Sequence, residues 1–187
     1  TMAFDRNYKD SRILVTGGSQ GARLFGEVIP AAIAALPQDQ KSRLTVVQQA
    51  REEQVDQVRA AYREAGVRAV VESFFSDMQD RLAAAHLIIA RSGASTVTEL
   101  AIAGRPSILI PLAIATNDHQ TANAEGMVTG AAADVVPEPK FTVEMLTPLL
   151  QERLSNAGVL KARAKAAWQL GNPNAARDLA DLAEQAA

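Results

Sequence analysis

The chain has 187 residues and a net charge of −2, with 48% hydrophobic, 21% charged and 4% aromatic residues and no cysteine. That length suffices for one α/β domain with a substantial core. The near-neutral balance and the scarcity of aromatics exclude a basic field or a base-stacking surface for nucleic acid, and the lack of cysteine excludes disulfides, thiolate chemistry and zinc–sulfur sites. No apolar run approaches the roughly 18 residues of a membrane helix. No stretch reads as a signal peptide, so a cytoplasmic setting is expected.

Residues 1–11 show no periodicity and read as a lead-in or linker remnant; residues 12–187 read as one domain. Arg12–Thr16 is the first expected strand, followed by the turn Gly17-Gly18-Ser19-Gln20-Gly21-Ala22-Arg23. A helix is expected from about Gly21 to Leu36, kinked or broken in its first turns by Pro30 and stopped by Pro37. Leu44–Gln48 is a second strand, Arg51–Ala65 a polar helix closed by Gly66, and Arg68–Glu72 a third strand. Ser76–Ala85 is helical and His86–Ala90 is a short apolar strand, as a buried parallel strand should be. The small-residue turn Ser92-Gly93-Ala94-Ser95 leads into a helix ending at Gly104-Arg105-Pro106. A fifth strand over Ser107–Ile110 and a loop over Leu112–Asn117 precede a helix from about Asp118 to Thr129 and a short sixth strand over Ala132–Val136. Helices over Thr142–Ser155, Gly158–Leu170 and Asn174–Ala187 complete the chain. Alternating strands and helices with short connections specify an α/β fold, a Rossmann-like parallel sheet of about six strands with helices on both faces. Ligands on such folds bind beyond the carboxyl ends of the strands.

The informative turns all lie on that edge. Gly17, Gly18 and Gly21 would let a phosphate approach bare backbone, although glycine turns also form for tight geometry alone. The start of the helix after Ser92 offers free amides and a favourable dipole to an anion, and Glu99 beside it could hold a diol. A phosphate and a diol together describe a nucleotide. Thr96-Val97-Thr98-Glu99 equally fits a capping box with no ligand. Phe74, Phe75 and Met78 could form a flat slot for a planar base, or Phe74 could be buried as a hydrophobic staple. Asn117-Asp118-His119-Gln120-Thr121-Ala122-Asn123 carries neutral groups suited to sugar hydroxyls, or ordinary caps at Asn117 or Asp118. His86 reads as structural, and no second histidine or cysteine near His119 supports a metal site. A dehydrogenase reading fails: the glycines do not follow G-x-G-x-x-G, neither Tyr8 nor Tyr62 has a lysine four residues on, and Gln48-Gln49 replaces the acid that would close the second strand.

Together, the Gly17–Arg23 turn, the Phe74–Met78 turn, Arg91-Ser92-Gly93-Ala94-x-Thr96-x-x-Glu99 and His119-Gln120-x-x-Asn123-Ala124 resemble the carboxyl-terminal half of the MurG family of bacterial N-acetylglucosamine transferases. The resemblance runs from about Arg12 to the end and implies one half of a GT-B glycosyltransferase. It implies UDP-N-acetylglucosamine as donor substrate, no cofactor and no metal. Gly17, Gly18, Ser19, Gln20 and Gly21 would approach the diphosphate, and the Phe75 backbone, with Phe74 and Met78 around it, the uracil edge. Ser95 and Thr96 would face the α-phosphate, Glu99 the ribose, and His119 and Gln120 the N-acetylglucosamine hydroxyls. The family tends to have His-Gln-Thr-Gly after the second strand; Gln48-Gln49-Ala50-Arg51 departs from it and receives no role. The implied reaction transfers the sugar, with inversion, onto lipid I to give lipid II at the inner face of the membrane. The general base, the lipid acceptor surface and the membrane contact would belong to an amino-terminal domain, leaving this chain able to bind donor without turnover. The alternatives are an epimerase of the UDP-N-acetylglucosamine 2-epimerase type and a stand-alone nucleotide-sugar binding module.

Overall fold

The computed structural model describes residues 10–18, 21–112, 118–172 and 174. Six strands, β1 (Ser11–Thr16), β2 (Leu44–Gln49), β3 (Arg68–Glu72), β4 (Leu87–Ala90), β5 (Ser107–Leu109) and β6 (Ala133–Val135), form one sheet in the order β3-β2-β1-β4-β5-β6. Every pairing is parallel, with Ile13 beside Val46 on one side and Leu87 on the other. This is the doubly wound order whose direction reverses between β1 and β4, where the connections leave to opposite faces and open a crevice.

Side chains alternate between those faces as the pleat requires. Ile13, Val15, Leu87, Ile89 and Ile108 pack beneath α1 (Arg23–Ala34), α3 (Val55–Glu64) and α7 (Val143–Ser155). Leu14, Ile88, Ala90 and Leu109 pack against α4 (Met78–Ala84), α5 (Ala94–Ile102), α6 (His119–Thr129) and α8 (Ala157–Leu170). Each fully buried branched side chain contributes about 1.5–3 kcal/mol. His86 is structural: its Nδ1 accepts from the Arg12 amide at 3.0 Å, and its own amide donates to the Arg12 carbonyl at 2.8 Å.

Several boundaries differ from the sequence reading, each for a local reason. Gly21 has φ +66° and Ala22 is extended, so α1 begins only at Arg23. The helix then runs uninterrupted through Pro30, rather than breaking there. Arg51 is extended (φ −62°, ψ 148°) and outside any helix; a 3-10 turn over Glu52–Gln54 precedes α3. An unexpected α2 (Gln38–Ser42) follows Pro37, anchored by Gln40 Nε2 donating to the Gln151 carbonyl and the Ser155 hydroxyl. The expected helix over 174–187 and the lead-in over 1–9 lie outside the described residues.

Candidate functional site

The turn after β1 can be built only from glycine at its first position. A Cβ on Gly17 would overlap the Ala22 amide nitrogen and lie 2.7 Å from the Gly21 carbonyl carbon. Gly18 and Gly21 both have positive φ, and the Gly21 amide closes the turn on the Gly18 carbonyl at 3.0 Å. Ser19 and Gln20 lie outside the described residues. The result is backbone exposed at the mouth of the crevice, beside β4.

Across the crevice, α5 begins with Gly93 as N-cap, in extended geometry and without a side-chain cap. The amides of Ala94, Ser95 and Thr96 therefore have no partner within the helix. Val97 is the first to bond back, to the Gly93 carbonyl at 3.0 Å. This start, two residues before Thr96, overturns the capping box: Glu99 is too far along the helix to reach an N-cap. Thr96 and Glu99, three apart, instead share one face. Among the described residues the side chains of Ser95 and Glu99 make no hydrogen bond or ion pair.

Two hollows meet in the crevice. The larger, of about 700 Å³, is bordered by Gly17, Gly18, Gly21, Ser95, Thr96 and Gln120 together with Arg51 and Arg91. The smaller, of about 280 Å³, is bordered by Phe74, Phe75, Met78, Glu99 and Gln49. Gly18 and Thr96 line both and mark the junction. Another hollow, of about 320 Å³, lies by Arg12, Thr45 and α4, and no residue expected at the site borders it.

The Phe74–Phe75 pair resolves against the staple. Phe75 is the buried member, covered by the Arg81 guanidinium 4.1 Å above its ring, whereas Phe74 is 74% exposed at the rim of the small hollow. Arg81 also donates to Asp77 Oδ1 at 2.7 Å, which holds the Asp77 carboxyl below the ordinary carboxylate range. At the far side, Gln120 borders the large hollow, and its Oε1 accepts from the Leu112 amide at 3.0 Å. His119 is exposed at the start of α6 and borders neither hollow. Asp118 is the N-cap of α6, in left-handed geometry, but it takes a hydrogen bond from the Thr121 hydroxyl at 2.7 Å instead of capping; Asn117 lies outside the described residues.

Sequence reasoning missed how the edge is braced, by Gln49 and by Arg91 and Asn123 acting on neighbouring turns. Gln49 accepts from the Thr16 hydroxyl at 2.9 Å and donates to the Ser73 carbonyl at 3.2 Å, tying the turns after β1 and β3 beneath the small hollow. Arg91 pairs with Glu138 and donates to the carbonyls of Ile110 and Pro111, fixing the turns after β4 and β5. Asn123 donates to the Ser92 carbonyl at 3.1 Å, joining α6 to the start of α5. An arginine or glutamine closing an otherwise apolar buried strand was the available signal.

Among the described residues no helix is long and apolar enough to cross a membrane, and no group of three or more His, Asp or Glu could hold a metal.

Comparison with known proteins gives this edge a context. A UDP-N-acetylglucosamine–N-acetylmuramyl-(pentapeptide) pyrophosphoryl-undecaprenol N-acetylglucosamine transferase of Rhodospirillum centenum is 52% identical over 169 residues, covering 90% of this chain and 45% of the relative. The crystal structure of Acinetobacter baumannii MurG superposes with a TM-score of 0.86 at 35% identity, over 97% of this chain and 54% of that one. A UDP-N-acetylglucosamine 2-epimerase structure from Listeria monocytogenes has a TM-score of 0.65 at 16% identity, over 91% of this chain and 44% of that one, a likeness of fold alone. The chain spans about half the length of the curated relatives it matches. Residues 12–184 match the glycosyltransferase family 28 C-terminal domain, and the chain belongs to that family.

Proposed function

We propose that residues 12–187 are the donor-binding unit of an inverting hexosyltransferase that takes N-acetylglucosamine from UDP-N-acetylglucosamine. The observation that carries this reading is the pair of hollows meeting at Gly18 and Thr96, one suited to a nucleoside and the other to a diphosphate-linked sugar. Uracil lies against Phe74, Met78 and the Phe75 backbone, and Glu99 accepts the ribose hydroxyls. The α-phosphate sits at Ser95 and Thr96, and the glycine turn with Ser19 and Gln20 follows the rest of the diphosphate. Gln120 reads the sugar through its free amide N–H groups; His119, which borders neither hollow, receives no role.

Charge building on the departing UDP is met by helix-start amides without a metal, a strategy in which one well-placed donor lowers the barrier by roughly 3 kcal/mol. The lipid I acceptor, the general base and the contact with the inner face of the membrane belong to the amino-terminal domain of the full-length enzyme. The epimerase reading is supported only by fold, at 16% identity against 52% for the transferase relative.

Calorimetry on this chain tests the reading. UDP and UDP-N-acetylglucosamine are expected to bind and NAD to give no heat. Comparable heats with NAD, or none with UDP, would overturn it.

A further inference from the structure

The large hollow has three arginines on its wall, and they are not equivalent. Arg23 is bonded to Glu27 at 2.8 Å on the outer surface of α1. Arg91 is held by Glu138 and two backbone carbonyls. Arg51 is the uncommitted one. Its ion pair is with Glu53, itself 66% exposed, at 3.6 Å, a distance and exposure at which pairing contributes little. Its Nε is buried and has no hydrogen-bond partner among the described residues.

The position of Arg51 is nonetheless fixed. Its carbonyl accepts from the Gln54 amide at 2.8 Å, and the preceding Ala50 amide is tied to the Glu72 carbonyl at 3.0 Å. Its stem lies along Gly21, where an added Cβ would come within 3.3 Å of the Arg51 Cγ. Because β2 and β4 flank β1 in the sheet, Arg51 and the start of α5 stand on opposite sides of the glycine turn. Arg51 borders the large hollow but not the small one.

From this placement we infer that the Arg51 guanidinium is a donor-binding residue that grips the β-phosphate of the nucleoside diphosphate. The inference rests on the nucleotide reading above. A nucleoside seated in the small hollow has its first phosphate at the Gly18–Thr96 junction. Only the second phosphate enters the space that Arg51 reaches. A planar guanidinium held only by a long, exposed ion pair suits a phosphate that presents several acceptor oxygens. The tetrapeptide that departs from the family pattern thus supplies a ligand of its own: a side-chain cation where that pattern has glycine.

The test is calorimetric titration of UDP and UMP into this chain and into its Arg51→Gln and Arg51→Lys variants. The unsubstituted chain should prefer UDP. Arg51→Gln should weaken UDP about tenfold, as loss of a charge-assisted contact predicts, and leave UMP within about twofold, so that UMP also reports an intact fold. Arg51→Lys, which keeps the stem on Gly21 and a point charge, should fall between. A UDP preference that survives in Arg51→Gln, or an equal loss for both nucleotides, would overturn the assignment to Arg51 while leaving the nucleotide reading intact. An unsubstituted chain that binds neither nucleotide would overturn that reading and the inference with it.

Discussion

The crevice between β1 and β4 and the corner where β6 meets α7 and α8 are both rich in polar groups, but they use them in opposite ways. At the corner the groups turn to one another, with only Arg163 Nη1 left without a hydrogen-bond partner among the described residues. Asp134 accepts from Arg153 Nε and Nη2, both at 2.9 Å, and from Arg163 Nη2 at 3.0 Å. In the crevice the first amides of α5, the side chains of Ser95 and Glu99 and the Arg51 Nε have no hydrogen-bond partners among the described residues. The difference follows from topology. At the corner, three packed elements converge on a single carboxylate. At the switch point α1 and α5 leave for opposite faces of the sheet, and their polar termini diverge around open space. Convergence produces stability; divergence leaves groups available to a ligand.

Gly17→Ala should break the contrast most severely. The added methyl would collide with backbone at Ala22 and Gly21, which cannot yield as a flexible side chain can. Overpacking of this kind costs about 3 kcal/mol. Urea denaturation should show that loss, and calorimetry should show UDP binding abolished. Unchanged stability would mean that the turn has another conformation of similar energy.

Asp134→Ala isolates the corner. Burial pushes the Asp134 carboxyl up, but hydrogen bonds and charge from Arg153 and Arg163 outweigh it and hold the group below the ordinary carboxylate range. Because folding lowers this pKa, its contribution is complete above the unfolded value of about 4 and is lost as pH falls through the folded value. Removing the carboxylate takes the shared partner from Arg163 and leaves Arg153 only the exposed Glu152, and it should cost about 2 kcal/mol at pH 7 after allowance for partial exposure. Below about pH 4 the gap from the unsubstituted chain should narrow. UDP affinity should not change; a parallel loss of affinity would show that the corner and the crevice are coupled.

The corner, the strands and the glycine turn differed in how legible they were from sequence. β1, β2, β4 and β5 were read within a residue or two, because the inner strands of a parallel sheet covered on both faces demand apolar runs, and the mostly exposed edge strand β3 was read with its observed bounds. The Gly17–Gly21 turn was legible because few other residues tolerate its geometry. The short α2 was not, since five polar residues after Pro37 carry no periodicity and depend on Gln40 reaching α7, more than a hundred residues away. Phe74 and Phe75 could not be told apart because a turn has no repeating face; a cation above Phe75 decided the matter. Arg51 was assigned to a helix because its neighbours are helical in composition, whereas its extended backbone is set by tertiary contacts with Glu72 and Gly21. Gln49 and Arg91 act through backbone carbonyls of distant turns, a kind of partner that sequence spacing does not reveal.

Glu99→Gln is the smallest and most selective change, and it sharpens the contrast from the crevice side. The capping alternative predicted a loss of stability of about 1 kcal/mol, but α5 has Gly93 as its N-cap and leaves Glu99 nothing to cap. The side chain is exposed and unpaired, so the substitution should leave the melting temperature within a degree or so, as for most surface changes. A carboxylate that accepts ribose hydroxyls forms charge-assisted bonds, and the neutral amide forms weaker ones with one acceptor oxygen removed. UDP affinity should therefore fall about tenfold, and UMP affinity should fall equally because both carry the ribose. That shared loss separates Glu99 from Arg51, whose substitution should affect the diphosphate alone. If Glu99→Gln weakened UDP but spared UMP, the ribose would not lie against α5, and the order of nucleoside and diphosphate along the crevice would have to be reversed.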